Sequence, residues 1–447
     1  MGVGAAAVDD GASSGCAGTG FSGVSKRFVR SLLLCACIGD LVEEGPGAHR
    51  CVSPGDQERV GDRATGQYSR GVGMDESLKA DLVTLSREIH AAPELAYKEF
   101  KAVAAIERLL KKYGHTMERP YGGLETAFRS RIGPAKGPFV ALLAEYDALP
   151  DVGHGCGHNL IAMSNVGAYL LAANDAATLE IGIELIGAPA EESGGGKLDL
   201  LDAGVFTDCV AVLSSHPGGN WWGVGQTTLG ITNLKIGFHG LASHAAVSPE
   251  KGKNALSAVI SMFVAIDAWR QHLPSDARVH GIITNGGAAA NIIPSYAEAV
   301  IGLRSPDMTF LHEMLEHFRK ICDGAAMQHG CTVEITEEMR LYEPTTPDPV
   351  LTDMLVKELE RLGAKDVRHG DLVTASTDLG NLSQRYPTTA IGFPVSTDPV
   401  PGHSIKMTEA SVSMFAHDAS ARTAEAMGGV AGRLARESRA RALVHSK

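Results

Sequence analysis

Apolar positions from Asp75 onward fall at helical spacing. Leu78, Leu82, Leu85 and Ile89 recur every three or four residues, which predicts a helix with one buried face. Pro93 interrupts it, and a second helix is predicted through Phe100, Val103, Ile106, Leu109 and Leu110 up to Gly114. The pattern then changes to short unbroken apolar runs at 139–143, 181–186 and 210–213, with a helix-like stretch at 162–173. Short apolar runs bounded by turn residues read as strands covered on both faces. Strands alternating with helices predict an α/β layer with a mostly parallel sheet.

Residues 230–338 carry a different order. Strands are predicted over 231–238, 279–284, 297–303 and 332–336, with helices over 254–269 and 310–325. That βαββαβ sequence is a ferredoxin-like split unit. The α/β pattern resumes near 348 and ends in a long Ala-rich helix after Glu409. The expected organisation is therefore one α/β domain in two parts, 74–229 and 339–447, with the 230–338 unit inserted between them. Residues 1–73 are rich in Gly, Ala and Ser without sustained period, and are expected to be a disordered leader. Lys26, Arg27 and Arg30 ahead of the apolar run at 31–38 resemble a secretory signal. The run is short, lies far from the start and lacks a small-x-small cleavage site, so a signal is not expected. Met74 is a second candidate start, because ordered-looking sequence begins there.

Composition narrows the class. A net charge of −12 argues against a nucleic-acid surface. No apolar run approaches the length that spans a bilayer. Four of the eight cysteines lie in the first 51 residues and the rest are scattered, without the regular spacing of a disulfide scaffold. A reducing, cytoplasmic compartment is expected.

The candidate chemistry sits just after predicted strands, where α/β folds place ligand sites. The stretch 153–159 offers Cys156 and His158 two residues apart, and the Gly-rich turn at 189–196 offers Glu191 and Glu192. His216 follows the apolar run at 210–213, and His403 lies in a Pro/Gly loop. Thiolate, imidazole and carboxylate are what divalent transition metals take from proteins, and a carboxylate left free beside them can act as a base. Singly, each of these residues is more often a loop, core or solvated side chain; the combination points to a metal-dependent hydrolase. Asp147 reads equally well as a partner orienting a ligand imidazole or as a turn residue before Pro150. By spacing alone His244, Asn291 and Arg304 are surface residues, with Arg304 either a carboxylate binder or a structural ion pair. Asp378 reads as a turn or cap residue.

The stretches at 145–150, 153–160, 189–197, 291–296 and 376–381 read EYDALP, GHGCGHNL, PAEESGGGK, NIIPSY and STDLGN. In that order they resemble the aminoacylase/carboxypeptidase superfamily of dinuclear metal amidohydrolases. The branch is that of the aminobenzoyl-glutamate hydrolases, auxin-conjugate amidohydrolases and dipeptidases for β-alanyl-lysine and Xaa-Arg substrates. The resemblance runs from about Asp75 to Gly432. It implies a zinc-exopeptidase-like catalytic domain with an inserted lid and dimerisation domain. It implies two divalent ions, zinc or manganese with cobalt as the third option. Their ligands would be Cys156, His158, Glu192, His216 and His403, with Cys156 as the bridge. Glu191 matches the catalytic base and His244 a lid histidine that reaches a neighbouring subunit's site and steadies the oxyanion. Asn291 and Arg304 match positions that hold the substrate carboxylate. A homodimer follows. The approach to His403, Pro-Val-Pro-Gly, is shorter than is usual in the branch, but His403 is the only histidine between the STD motif and the C-terminal helix. The implied substrate is a dipeptide with a basic C-terminal residue, with an N-acyl or aminobenzoyl amino acid as the alternative. A non-catalytic metal scaffold would have lost a ligand or the base. A nucleophilic cysteine hydrolase would need a Cys–His dyad from residues two apart and would leave the acidic pair idle.

Overall fold

The computed structural model describes residues 73–444. The first part of the chain runs α1 (Glu76–Ala91), α2 (Phe100–Lys112), β1 (Phe128–Ile132), β2 (Phe139–Ala144), α3 (His158–Ala173), β3 (Gly182–Gly187), α4 (Gly196–Asp202), β4 (Cys209–Pro217) and β5 (Gly223–Val224). The middle runs β6 (Gly230–His239), α5 (Ala255–Arg270), β7 (Arg278–Asn285), β8 (Tyr296–Ser305), α6 (Met308–Gln328) and β9 (Thr332–Tyr342). The last part holds α7 (Pro349–Arg361), β10 (Arg368–His369), α8 (Leu379–Ser383), β11 (Thr388–Phe393), α9 (Ile405–Ala410), α10 (Met414–Arg436) and α11 (Ser438–Val444).

Two sheets result. The larger has strand order β1-β3-β2-β4-β11-β5-β10 and draws on both ends of the described chain. Its centre is parallel, β3 with β2, β2 with β4 and β4 with β11; β1 is antiparallel to β3, and β5 to β11. β2 and β3 are buried at every position, as strands covered on both faces must be. The smaller sheet, β7-β8-β6-β9, is antiparallel throughout, and α5 and α6 contribute to its separate core with Phe238, Met262, Ile301 and Phe318. Its order along the chain is the βαββαβ read from periodicity. Strand β9 continues to Tyr342, beyond the 332–336 expected, because it pairs with β6 out to Ile231. Helix α3 starts at His158, four residues before the apolar stretch that signalled it, and Gly157 at φ 79° makes the turn into it. The expectations for residues 1–72 lie outside the described residues. Among the described residues, no helix is long and apolar enough to cross a membrane.

Helix α3 is buried almost throughout, under α10 and α1. The close approach needs glycine: a Cβ at Gly428 would stand 2.8 Å from the Ala168 carbonyl oxygen. Polar groups are trapped in this layer. Asn159 donates to Ser86 Oγ at 2.9 Å, and His417 Nε2 lies 3.2 Å from the same hydroxyl. Burial, assisted by the positive charge of Arg87, holds His417 down to about 4. An unfolded histidine titrates near about 6.5, so between these values the unfolded chain binds the extra proton. The contribution to stability is therefore complete above about 6.5 and is lost as pH falls toward 4. From pH 7 to pH 5 the loss is about 2 kcal/mol. Urea melts at the two pH values should show His417→Asn narrowing the drop by about that amount; an unchanged drop would contradict the assignment.

Candidate metal centre

Tertiary structure gathers Cys156, His158, Glu192, His216 and His403 to one point at the carboxyl ends of the central strands. Cys156 and His158 come from the loop after β2 and the start of α3, the acidic pair from the turn after β3, and His216 from the end of β4. His403 arrives from the loop before α9, where its backbone N–H donates to the Gly155 carbonyl at 2.8 Å. Backbone strain marks two of these segments: Ala190, just before the acidic pair, has φ 60°, and His403 has φ 54°. The left-handed Ala190 is held by its N–H, which donates to the buried Glu99 Oε1 at 3.0 Å.

Two groups of three share the thiol. Cys156, His158 and His216 form one pole, and Cys156, Glu192 and His403 the other, each with ligand atoms within 4.8 Å of one another. Cys156 Sγ is 3.4 Å from His216 Nε2, and Glu192 Oε1 is 3.5 Å from His403 Nε2. Two ligand atoms on one tetrahedral cation stand roughly 3.3–3.6 Å apart, by the usual bond lengths. His158 Nε2 and Glu192 Oε1 are buried without a hydrogen-bond partner, and so is Oε2 of nearby Glu145. Leaving one such atom bare costs about 1–3 kcal/mol, and divalent cations bound there would supply the missing partners. The donor set fits a metal.

Asp147, held open between two readings above, is buried, with Oδ1 2.9 Å from His158 Nδ1 and Oδ2 accepting from the Glu192 N–H at 3.1 Å. It leaves His158 Nε2 directed at the site, as second partners of metal-bound imidazoles do. Burial raises Asp147, but the His158 charge wins and holds the carboxyl below its ordinary value. Glu191 is buried, with Oε2 3.9 Å from His158 Nε2. Burial, then Glu145 beside it, push the Glu191 carboxyl well above the ordinary carboxylate range, and Lys197 opposes them. A carboxylate raised in this way accepts a proton more readily than an ordinary one, as a general base must. Burial also pushes the Cys156 thiol up, which is wrong for a free nucleophile and immaterial for a thiolate made by a metal.

The other predicted residues belong to none of these ligand groups. His244 is exposed in the second sheet's module, its Nδ1 accepting from the Ala246 and Val247 N–H groups at 3.2 and 3.3 Å. Asn291 is beside it, its carbonyl accepting from the Ala245 N–H at 2.9 Å. Arg304, at the end of β8, donates to Ser376 Oγ at 3.1 Å and to His280 at 3.1 Å. These hydrogen bonds lead to none of the metal-site residues.

Asp378 is the turn and N-cap residue of α8 that the sequence suggests, but its side chain makes no cap hydrogen bond; the carboxylate is fully buried and binds Lys197 through both the ammonium and the backbone N–H. Lys197 Nζ also pairs with Glu145 Oε1 at 2.8 Å. Sequence reasoning assigned Glu145 and Lys197 no role, although both lie inside the motifs EYDALP and PAEESGGGK.

The profile of Peptidase family M20/M25/M40 matches residues 141–419. Xaa-Arg dipeptidase of Mus musculus is 37% identical over 362 residues, which cover 77% of this chain and 84% of that protein. A p-aminobenzoyl-glutamate hydrolase polypeptide of Escherichia coli K12 is 30% identical over 325 residues, 68% of this chain and 67% of that one. A Bacillus subtilis dinuclear metal binding peptidase from M20 family superposes with a TM-score of 0.63 at 21% identity, covering 80% of this chain and 99% of that one. With a donor set fit for metal and a carboxylate placed for proton transfer, this chain belongs to peptidase family M20/M25/M40 and hydrolyses amide bonds.

Proposed function

We propose that the chain is a two-metal dipeptidase that releases a basic C-terminal amino acid, Arg or Lys. The observation that carries the reaction is the pair of ligand triads sharing Cys156, with Glu191 beside them. The similarity to an Xaa-Arg dipeptidase supports the substrate. The two cations, held by Cys156, His158, Glu192, His216 and His403, supply Lewis acidity toward a carbonyl and a water. The thiolate favours zinc, with manganese second and cobalt third. Glu191 takes the proton from the attacking water and returns it to the leaving amine. Asp147 keeps His158 in position.

His244 stabilises the developing oxyanion, and Asn291 with Arg304 holds the substrate's carboxylate. His244 is exposed and hydrogen-bonds only to its own loop, and in this reading it acts across a homodimer. β7 supports that arrangement: it is an edge strand of its sheet and exposes Ile282 and Ile283, while α5 exposes Ile260 and Val264. A cytoplasmic setting accords with the free thiols of Cys156, Cys209, Cys322 and Cys331.

A second reading, hydrolysis of an aminobenzoyl or N-acyl amino acid, uses the same chemistry and rests on the E. coli relative. The test is product detection by mass spectrometry with β-alanyl-Lys, Ala-Arg, hippurate and aminobenzoyl-Glu, before and after chelation. Chelator-sensitive cleavage of the two basic dipeptides alone is the expected result. Cleavage of the acylated substrates instead moves the chain to the second reading, and chelator-resistant cleavage removes the metal mechanism.

A further inference from the structure

We propose that Glu145 is a sixth metal ligand, facing the pole formed by Cys156, His158 and His216, and that Lys197 is the residue that aims it. The inference deepens the two-metal reading and rests on it.

Glu145 follows the last residue of β2, two positions before Asp147. Both carboxylates approach His158, one at each ring nitrogen. Asp147 Oδ1 holds Nδ1 at 2.9 Å, and Glu145 Oε2 stands 3.6 Å from Nε2. That second separation is too long for a hydrogen bond and close to the spacing of two donors around one cation. Both atoms are buried and without hydrogen-bond partners. Glu145, His158 and Glu191 form a compact triad of their own, with ligand atoms within 4.8 Å.

The two oxygens of Glu145 have different surroundings. Oε1 is occupied by Lys197 Nζ at 2.8 Å, whereas Oε2 is bare. Lys197 cannot turn away, since Asp378 grips both its ammonium and its backbone N–H. The start of α4 is itself pressed onto the acidic turn: a Cβ at Gly196 would lie 1.9 Å from the Pro189 carbonyl oxygen. The rotation of the Glu145 carboxylate is thereby set, with one oxygen left for the metal.

Charge distribution agrees. Glu192 gives the His403 pole a carboxylate, whereas the other pole has two imidazoles, which bring no negative charge, and only a share of the thiol. Glu145 supplies that pole with an anion and leaves Glu191 free for proton transfer.

The test is metal binding by the full chain. Protein stripped with chelator is titrated with zinc in competition with a chromophoric chelator, and bound zinc is counted by mass spectrometry. Wild type should hold two ions. Glu145→Gln should hold one at wild-type affinity and bind the other at least tenfold more weakly. Glu145→Asp, which keeps the charge and withdraws the oxygen by one methylene, should also weaken one site and covers the case in which the amide does not fold. Two ions bound at wild-type affinity by a folded Glu145 variant would overturn the assignment while leaving the two-metal reading intact. A wild type without stoichiometric metal would overturn both.

Discussion

Glu191→Gln should lower kcat by about a thousandfold or more while metal content stays at the wild-type value. General-base catalysis contributes roughly 10²–10⁴ in rate, and here the base also returns the proton to the leaving amine. The substitution is isosteric and the backbone around it is independently held. Ala190 N–H donates to Glu99 at 3.0 Å, and Tyr342 donates its hydroxyl to the Glu191 carbonyl at 3.0 Å. Neither contact uses the Glu191 carboxylate, so the fold and both cysteine-sharing triads should persist. Steady-state kinetics with bound metal counted on the same preparation checks the claim. Turnover within tenfold of wild type would remove Glu191 from the role; loss of metal together with activity would make it a ligand instead.

Lys197→Met should produce the largest loss of stability. The ammonium is buried against two carboxylates that are buried as well, Asp378 and Glu145. Burial alone would lower Lys197, but Asp378, Glu145 and Glu191 together hold it well above its ordinary value, so the lysine is charged throughout the working range. Removing one partner of such a network strands the others, which costs about 3–5 kcal/mol. Asp378→Asn in the same chain should recover part of that loss, because one stranded charge goes with it. Urea midpoints of chelated wild type, single and double variants measure the effect. A single-variant loss under about 1 kcal/mol would show that the network carries little net stability.

The residues behind these two effects differ in how visible they are along the chain. Glu191 and Glu192 stand out because a Gly-rich turn after an apolar run is a local signal, and so do Cys156 and His158. Lys197 and Asp378 do not. A charged residue in a turn is solvated in most chains, and nothing near Asp378 in sequence says that its partner is 181 positions away. Glu145 is hidden in the same way, in a motif whose visible feature is Asp147. Glu99 is hidden as well. It precedes α2, yet its carboxylate accepts from the Tyr97 and Ala190 N–H groups, and the first turn of the helix donates to Glu94 instead. Strand β1, absent from the expected elements, alternates buried with half-buried positions and belongs to the sheet only through its antiparallel pairing with β3.

Helix, strand and motif order are properties of neighbours along the chain, so periodicity alone was enough for α1, β2, β3 and the βαββαβ unit. The residues able to bind metal could be named for the same reason, since thiol, imidazole and carboxylate carry their chemistry wherever they lie. Folding decided which of these groups meet. The Cys156 thiol is shared between two triads, Asp147 meets one ring nitrogen of His158 and Glu145 the other, and Lys197 closes on Asp378, because interaction energies depend on distance and burial in space. Linear order records neither quantity.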